Sequence, residues 1–374
     1  HIRTVGPGGT ANGYEYASIA AATYAAVAHD VIEVAPGTYT GLVYFGKDIV
    51  VRSTNPNDPK TVASTVIEAP PGSRAVVFSG TETEDAALIG FTIKGTSDNS
   101  GGIGGYGTKA RIMFNLFIDN KVTGNGGAIS DADGLIEGNR FGRVGTGNRA
   151  DNTANTSKGG ALYDCDGIVR KNWFEGNFAD AAGGGAEDCD GTIVQNFFYK
   201  NSASVHGGGL SGCNGHIISN VFYDNSCSSG NGGAMRDCDA VRIEQNTIFK
   251  NFVYSSGNRA GGIADTAVTG NFRNNIVWGN TQGGPPGTGT LAQLYNNSTI
   301  SYSDIEGGST TNNNIALNPL FATLTFKPPV AFEDTFAGDG LGSWNMVAGS
   351  WSDKTDPLSG GNYYLSHTKS DTVY

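Results

Sequence analysis

Apolar and polar residues alternate in short bursts along this chain, and beyond residue 30 no stretch keeps the spacing of an amphipathic helix. Segments such as "TIVQNFFY" (192–199) and "HIISNVFY" (216–223), punctuated by glycine and asparagine, predict strand, turn and strand. The pattern recurs. Gly-Gly pairs begin at 101, 126, 159, 183, 207, 232 and 261, at intervals of 25, 33, 24, 24, 25 and 29 residues. Repeats of this length without helical periodicity predict an all-β fold, a parallel β-helix solenoid.

Other residues keep step with the glycines. Asn115, Asn139, Asn172, Asn196, Asn220, Asn246 and Asn275 form one series. Two residues on come Phe117, Phe141, Phe174, Phe198, Phe222, Ile248 and Val277, and three beyond those Asn120, Asn177, Asn201, Asn225, Asn251 and Asn280. Stacked coils lie ~4.8 Å apart, so equivalent residues become columns. The phenylalanines predict core filling, and the asparagines predict turn ladders, because Asn tolerates left-handed backbone and its amide can bond the amide above.

The ends differ from the middle. "YASIAAATYAAVAHD" (16–30) has helical spacing from about Ser18 and predicts a capping helix within residues 1–30; "DVIEVAPGTYTG" (30–41) predicts the first strand and turn. The solenoid is expected over 31–326. After "KPPV" (327–330), residues 331–374 predict a short C-terminal β segment built on "SWNMVAGSW" and "NYYLSHT". Two strands are marginal alone, so this segment is expected to mediate a homo-oligomer or filament by strand addition.

Two resemblances follow from these residues. The helix followed by "HDVIEVAPGTY" (29–39) resembles the start of the right-handed parallel β-helix superfamily that includes pectate lyases, over roughly residues 1–325. "GGAI" (126–129), "GGAL" (159–162), "FEGN", "FYKN" and "FYDN" resemble the repeats of polymorphic outer-membrane adhesins. The first implies a right-handed coil and admits a Ca²⁺-dependent polysaccharide lyase or a glycoside hydrolase acting on acidic glycans. The second implies an extracellular or cell-surface location and adhesion. Residues 331–374 resemble the opening of a concanavalin-like sandwich, although 44 residues are too few to close one.

Composition narrows the function. The 57 glycines among 374 residues follow no three-residue period, which excludes collagen. With 35 Asp and Glu against 24 Lys and Arg, the charge of −11 argues against nucleic acid as partner, and no run of eighteen apolar residues spans a membrane. His1 opens directly into "IRTVGPGG", as expected of a mature chain whose leader has been removed or of an artificial start.

Candidate chemistry sits in the repeat. Cys165, Cys189, Cys213 and Cys238 occupy an always-small slot, expected to be buried and inert, while Cys227 is assigned to a loop as the one reactive thiol. Aspartates flank the slot as two columns. They are expected to cap turn N–H groups, with a Ca²⁺ site at Asp164, Asp166, Asp188 and Asp190 as the sharper alternative. The motifs of pectinolytic hydrolases are missing, His206 and His216 stand isolated, and no lyase constellation matches residue by residue, so catalytic residues stay unassigned. The slot after the core phenylalanine holds Glu175, Tyr199, Tyr223, Phe249 and Trp278. Turned outward, the four aromatics predict a stripe that meets a glycan or a protein surface. Adhesion or extracellular assembly is therefore the expected role, and no cofactor is required beyond the possible Ca²⁺.

Overall fold

A computed structural model describes residues 1–95, 101–143, 145–151, 156–257, 259–308 and 310–321. It shows a parallel β-solenoid of about 11 turns. Four sheets run along it: A and B with 11 strands each, C with 10 and D with 8. One coil illustrates the circuit. Ile168–Arg170 lies in sheet A, Trp173–Glu175 in B, Phe178–Ala179 in D and Ala186–Glu187 in C, before Thr192–Val194 re-enters A. His1–Leu317 forms one compact unit. The second unit, Asn318–Tyr374, is described only as far as Phe321, so the predicted C-terminal segment 331–374 lies outside the described residues.

Strand length dictates which side chains face inward. The sheet B strands of the central coils are three residues long, so one residue points in and its two neighbours point out. Phe117, Phe141, Phe174, Phe198 and Phe222 are the inward residues, all fully buried, with ring centroids 4.5–4.9 Å apart. Ile248 and Val277 continue the column with smaller side chains.

At the N-terminal end, Ser18 accepts a hydrogen bond from the Ala21 N–H and starts the helix Ile19–Ala25, which places Ile19 and Ala22 in the core. The sheet begins earlier than the sequence suggests. Ile2–Val5 is already a strand of sheet A, in parallel register with Val31–Val34. Its four residues are too few for a visible alternation, which is why periodicity misses it.

The asparagine ladders form with a corrected turn chemistry. In the first, each Asn from 115 to 246 donates Nδ2 and its backbone N–H to the Oδ1 of the next; Ser303 takes the place of an Asn below Asn275. The second ladder includes Asn148, which periodicity misses because the connection after Phe141 is longer in that coil. None of these asparagines has left-handed backbone. Except at Asn148, the residue just before each one does, as at Lys171, Gln195, Ser219 and Gln245 in the first corner and Lys200, Asp224 and Lys250 in the second. The ladder Asn already commits its N–H to the neighbouring coil, so the sharp bend falls one residue earlier.

Candidate functional site

The aromatic stripe exists. Tyr199, Tyr223, Phe249 and Trp278 occupy register-matched outward positions of sheet B and are all half-buried. Tyr199 and Tyr223 stack at 5.4 Å and 11°, Tyr223 and Phe249 at 5.8 Å and 15°. Lys200 Nζ lies 5.1 Å from the Tyr199 ring centroid and Lys250 Nζ 5.0 Å from that of Phe249, both within cation–π range. The hydrogen bond to Tyr199 raises the Lys200 ammonium, so it stays charged at neutral pH. Between the lysines, burial pushes the Asp224 carboxyl up against the opposing pull of Lys200 and Lys250.

Glu175 does not open the stripe to solvent. It is 8% exposed, pairs with Arg140 Nη2 at 2.7 Å and accepts from Trp173 Nε1 at 2.8 Å. A carboxylate beside a tryptophan finds two donors within reach and turns to them, which alternation alone does not reveal. Trp173 in turn lies 4.2 Å from Phe197, so the apolar surface widens to a second outward column.

The aspartates separate into two structural columns. Asp133, Asp166, Asp190 and Asp239 each accept, through Oδ1, the backbone N–H of the equivalent residue one coil on, at 2.7–3.1 Å. Asn214 substitutes in the same role, accepting from the Asp239 N–H. Asp131, Asp164, Asp188 and Asp237 stand in left-handed backbone, with Gly212 at the same position in the intervening coil. Asp166 and Asp190 spend an oxygen on backbone donors, and Asp188 Oδ2 lies 3.3 Å from Lys158 Nζ. Among the described residues, no group of three or more His, Cys, Asp or Glu converges as a metal ion requires.

The cysteines are free and buried. Cys165, Cys189, Cys213 and Cys238 each direct Sγ to the carbonyl two residues earlier at 3.4 Å. Cys227 is not a loop thiol. It belongs to the sheet D strand Ser226–Cys227, is 1% exposed, and burial pushes its thiol up to about 12, so it is protonated and unreactive.

Sequence reasoning missed one cluster, on the outer face of sheet C. Glu187 is 3% exposed and its Oε1 lies 3.0 Å from Lys158 Nζ. Burial pushes this carboxyl up while Lys158 pulls it down. Three coils on, Asp265 accepts from Asn231 Nδ2 at 3.0 Å and pairs with Arg236 Nε at 3.4 Å. His206 Nδ1 accepts the Asn231 N–H at 3.2 Å, and burial with nearby Arg236 lowers the imidazole to about 4, leaving it neutral with its proton on Nε2. The signal was present as "K-GG-LY", "H-GG-LS" and "N-GG-MR", but their varied chemistry hides them from a search for repetition. His216 lies apart, in a sheet A strand.

The chain matches no family model, no curated protein and no solved structure. Among the described residues, no helix is long and apolar enough to cross a membrane.

Proposed function

We propose that this solenoid binds a glycan along the outer face of sheet B, and that it acts outside the cell or at its surface in adhesion. One observation carries the reading. The corner slot beside the aromatic stripe has φ of 53°, 57° and 55° at Lys200, Asp224 and Lys250, where the coils on either side have Gly176 and Gly279. Holding a side chain in that conformation costs of order 1 kcal/mol relative to glycine. Other left-handed corners also carry side chains; what sets Lys200 and Lys250 apart is the aromatic ring beneath each ammonium, and that pairing favours a ligand.

The stacked rings are already ordered by one another, so binding requires little further loss of side-chain freedom. The phenol groups of Tyr199 and Tyr223 offer hydrogen bonds to sugar hydroxyls, and the two ammonium groups attract acidic substituents. Coils repeat at ~4.8 Å, which suits an extended chain lying along the axis. The test is affinity electrophoresis of wild type and the Tyr223→Ala, Trp278→Ala double variant through gels containing pectin, alginate, xylan or soluble chitin. Loss of two rings is expected to weaken binding roughly ten- to a hundredfold, about 1–3 kcal/mol. A folded double variant retarded as strongly as wild type would exclude this face.

A further inference from the structure

The central coils pass from sheet D to sheet C through a short connection, and one of these connections rests on an imidazole. Ser228–Asn231 follows the sheet D strand Ser226–Cys227. Its first half is tied to the preceding coil by backbone: the Ser228 and Ser229 N–H groups donate to the Ala203 and Ser204 carbonyls at 3.1 and 3.0 Å. Its second half meets His206. Gly230 packs so closely that a Cβ there would stand 2.0 Å from Nδ1, and the Asn231 N–H donates to the same nitrogen at 3.2 Å. On the inner side, the Cys227 thiol donates to the Asn231 carbonyl at 3.4 Å, and Cys227 belongs to a small apolar cluster with Ala203 and Val253. Asn231 thus lies between a titratable ring and a buried thiol.

The same contact is made elsewhere without a titratable group. From the equivalent position before a Gly-Gly pair, Asn125 Oδ1 accepts the Lys158 N–H at 2.9 Å. An amide oxygen therefore meets the structural need, and His206 adds only its response to protons. Protonation of Nδ1 turns the acceptor into a donor, so two N–H groups face each other. The charge is also poorly received. Burial, Arg236 on the next sheet C strand and Arg259 before the next Gly-Gly pair all oppose it, while Asp265 attracts it. That carboxylate is already engaged by Asn231 Nδ2, Asn296 Nδ2 and Arg236 Nε. The closed imidazole accordingly sits at about 4 against an ordinary 6.5. A ring freed from Gly230 and Asn231 returns toward the ordinary value, so the open form binds the proton more tightly and acid favours opening.

We propose that His206 is an acid-operated latch: its protonation releases Gly230 and Asn231 and opens the connection over Cys227, while the neighbouring coils stay folded.

The experiment measures reaction of each cysteine with a dithiodipyridine in the folded chain, at pH 7 and at pH 4.5, with the modified residue identified by mass spectrometry. Every rate is divided by that of the same cysteine in the urea-unfolded chain at the same pH, which removes the intrinsic pH dependence of the thiol. In wild type the ratio for Cys227 is expected to rise at least about tenfold on acidification. Cys165, Cys189, Cys213 and Cys238, which belong to the main core, are expected to stay unreactive. His206→Asn, which keeps an acceptor without the titration, is expected to hold the Cys227 ratio constant within about threefold. Hydrogen exchange at the Asn231 amide of wild type needs no substitution and is expected to lose protection over the same range. A Cys227 ratio that does not change in wild type, or an Asn231 amide that stays protected, overturns the latch. A rise shared by all the cysteines overturns it too, because the chain is then unfolding as a whole, and an equal rise at Cys227 in His206→Asn takes the proton away from His206.

Discussion

His206 shows how a single residue carries information that repetition conceals. In the sequence it is an isolated histidine before Gly-Gly; in the fold it accepts from Asn231 N–H and is held neutral by burial. Its value of about 4 lies below the ordinary 6.5, so between these two pH values the unfolded chain binds a proton that the folded one refuses. Stability is therefore full above 6.5 and falls as pH drops through that window, by about 1–3 kcal/mol once solvent screening is allowed for. Urea midpoints near pH 7 and pH 4.5 should show a decline in wild type that His206→Gln reduces. Equal declines in the two proteins would count against the buried, neutral imidazole. Glu175 and Cys227 teach the complementary lesson. Alternation predicts an outward acid and spacing predicts a loop thiol, but neither pattern senses that Arg140 and Trp173 recruit the acid, or that Ser226–Cys227 is itself a strand.

At the scale of the turn and the strand, most of the structure was legible because the same local problem is solved in every coil. The phenylalanine column, the paired asparagine ladders and the small cysteine slot follow from period and residue type. What period could not supply was the dihedral angle: the left-handed residue precedes the ladder Asn, where the sequence shows Lys, Gln, Ser or Asp with no common preference. The long connection in the coil after Phe141 likewise hid Asn148. Each ladder Asn closes four groups at once, so its removal is expensive. Asn196→Ala strips the Asn172 N–H, the Asn172 amide, the Val169 carbonyl and the Asn220 carbonyl of a partner. A loss of about 3 kcal/mol is expected, read as a lower thermal midpoint than for an exposed control outside the ladders such as Asn57→Ala. Equal midpoints for the two variants would contradict a ladder that bears on stability.

Over the whole molecule, stacking turns each slot into a line along the axis, and function is to be sought where a line departs from its structural optimum. Sheet B departs where Lys200 and Lys250 are set over the outward rings. The repeat and the aromatic stripe were readable from the chain alone, since both are periodic. The polar cluster on sheet C was not, since it joins residues 25 to 34 apart that only the register aligns. The most direct measurement is a crystal structure of the protein with an oligosaccharide prepared from whichever polymer retards it most in the gels. Sugar density lying along Tyr199, Tyr223, Phe249 and Trp278, with substituents near Lys200 and Lys250, is the predicted result. A fully occupied ligand elsewhere on the solenoid, with those four rings bare, would contradict it.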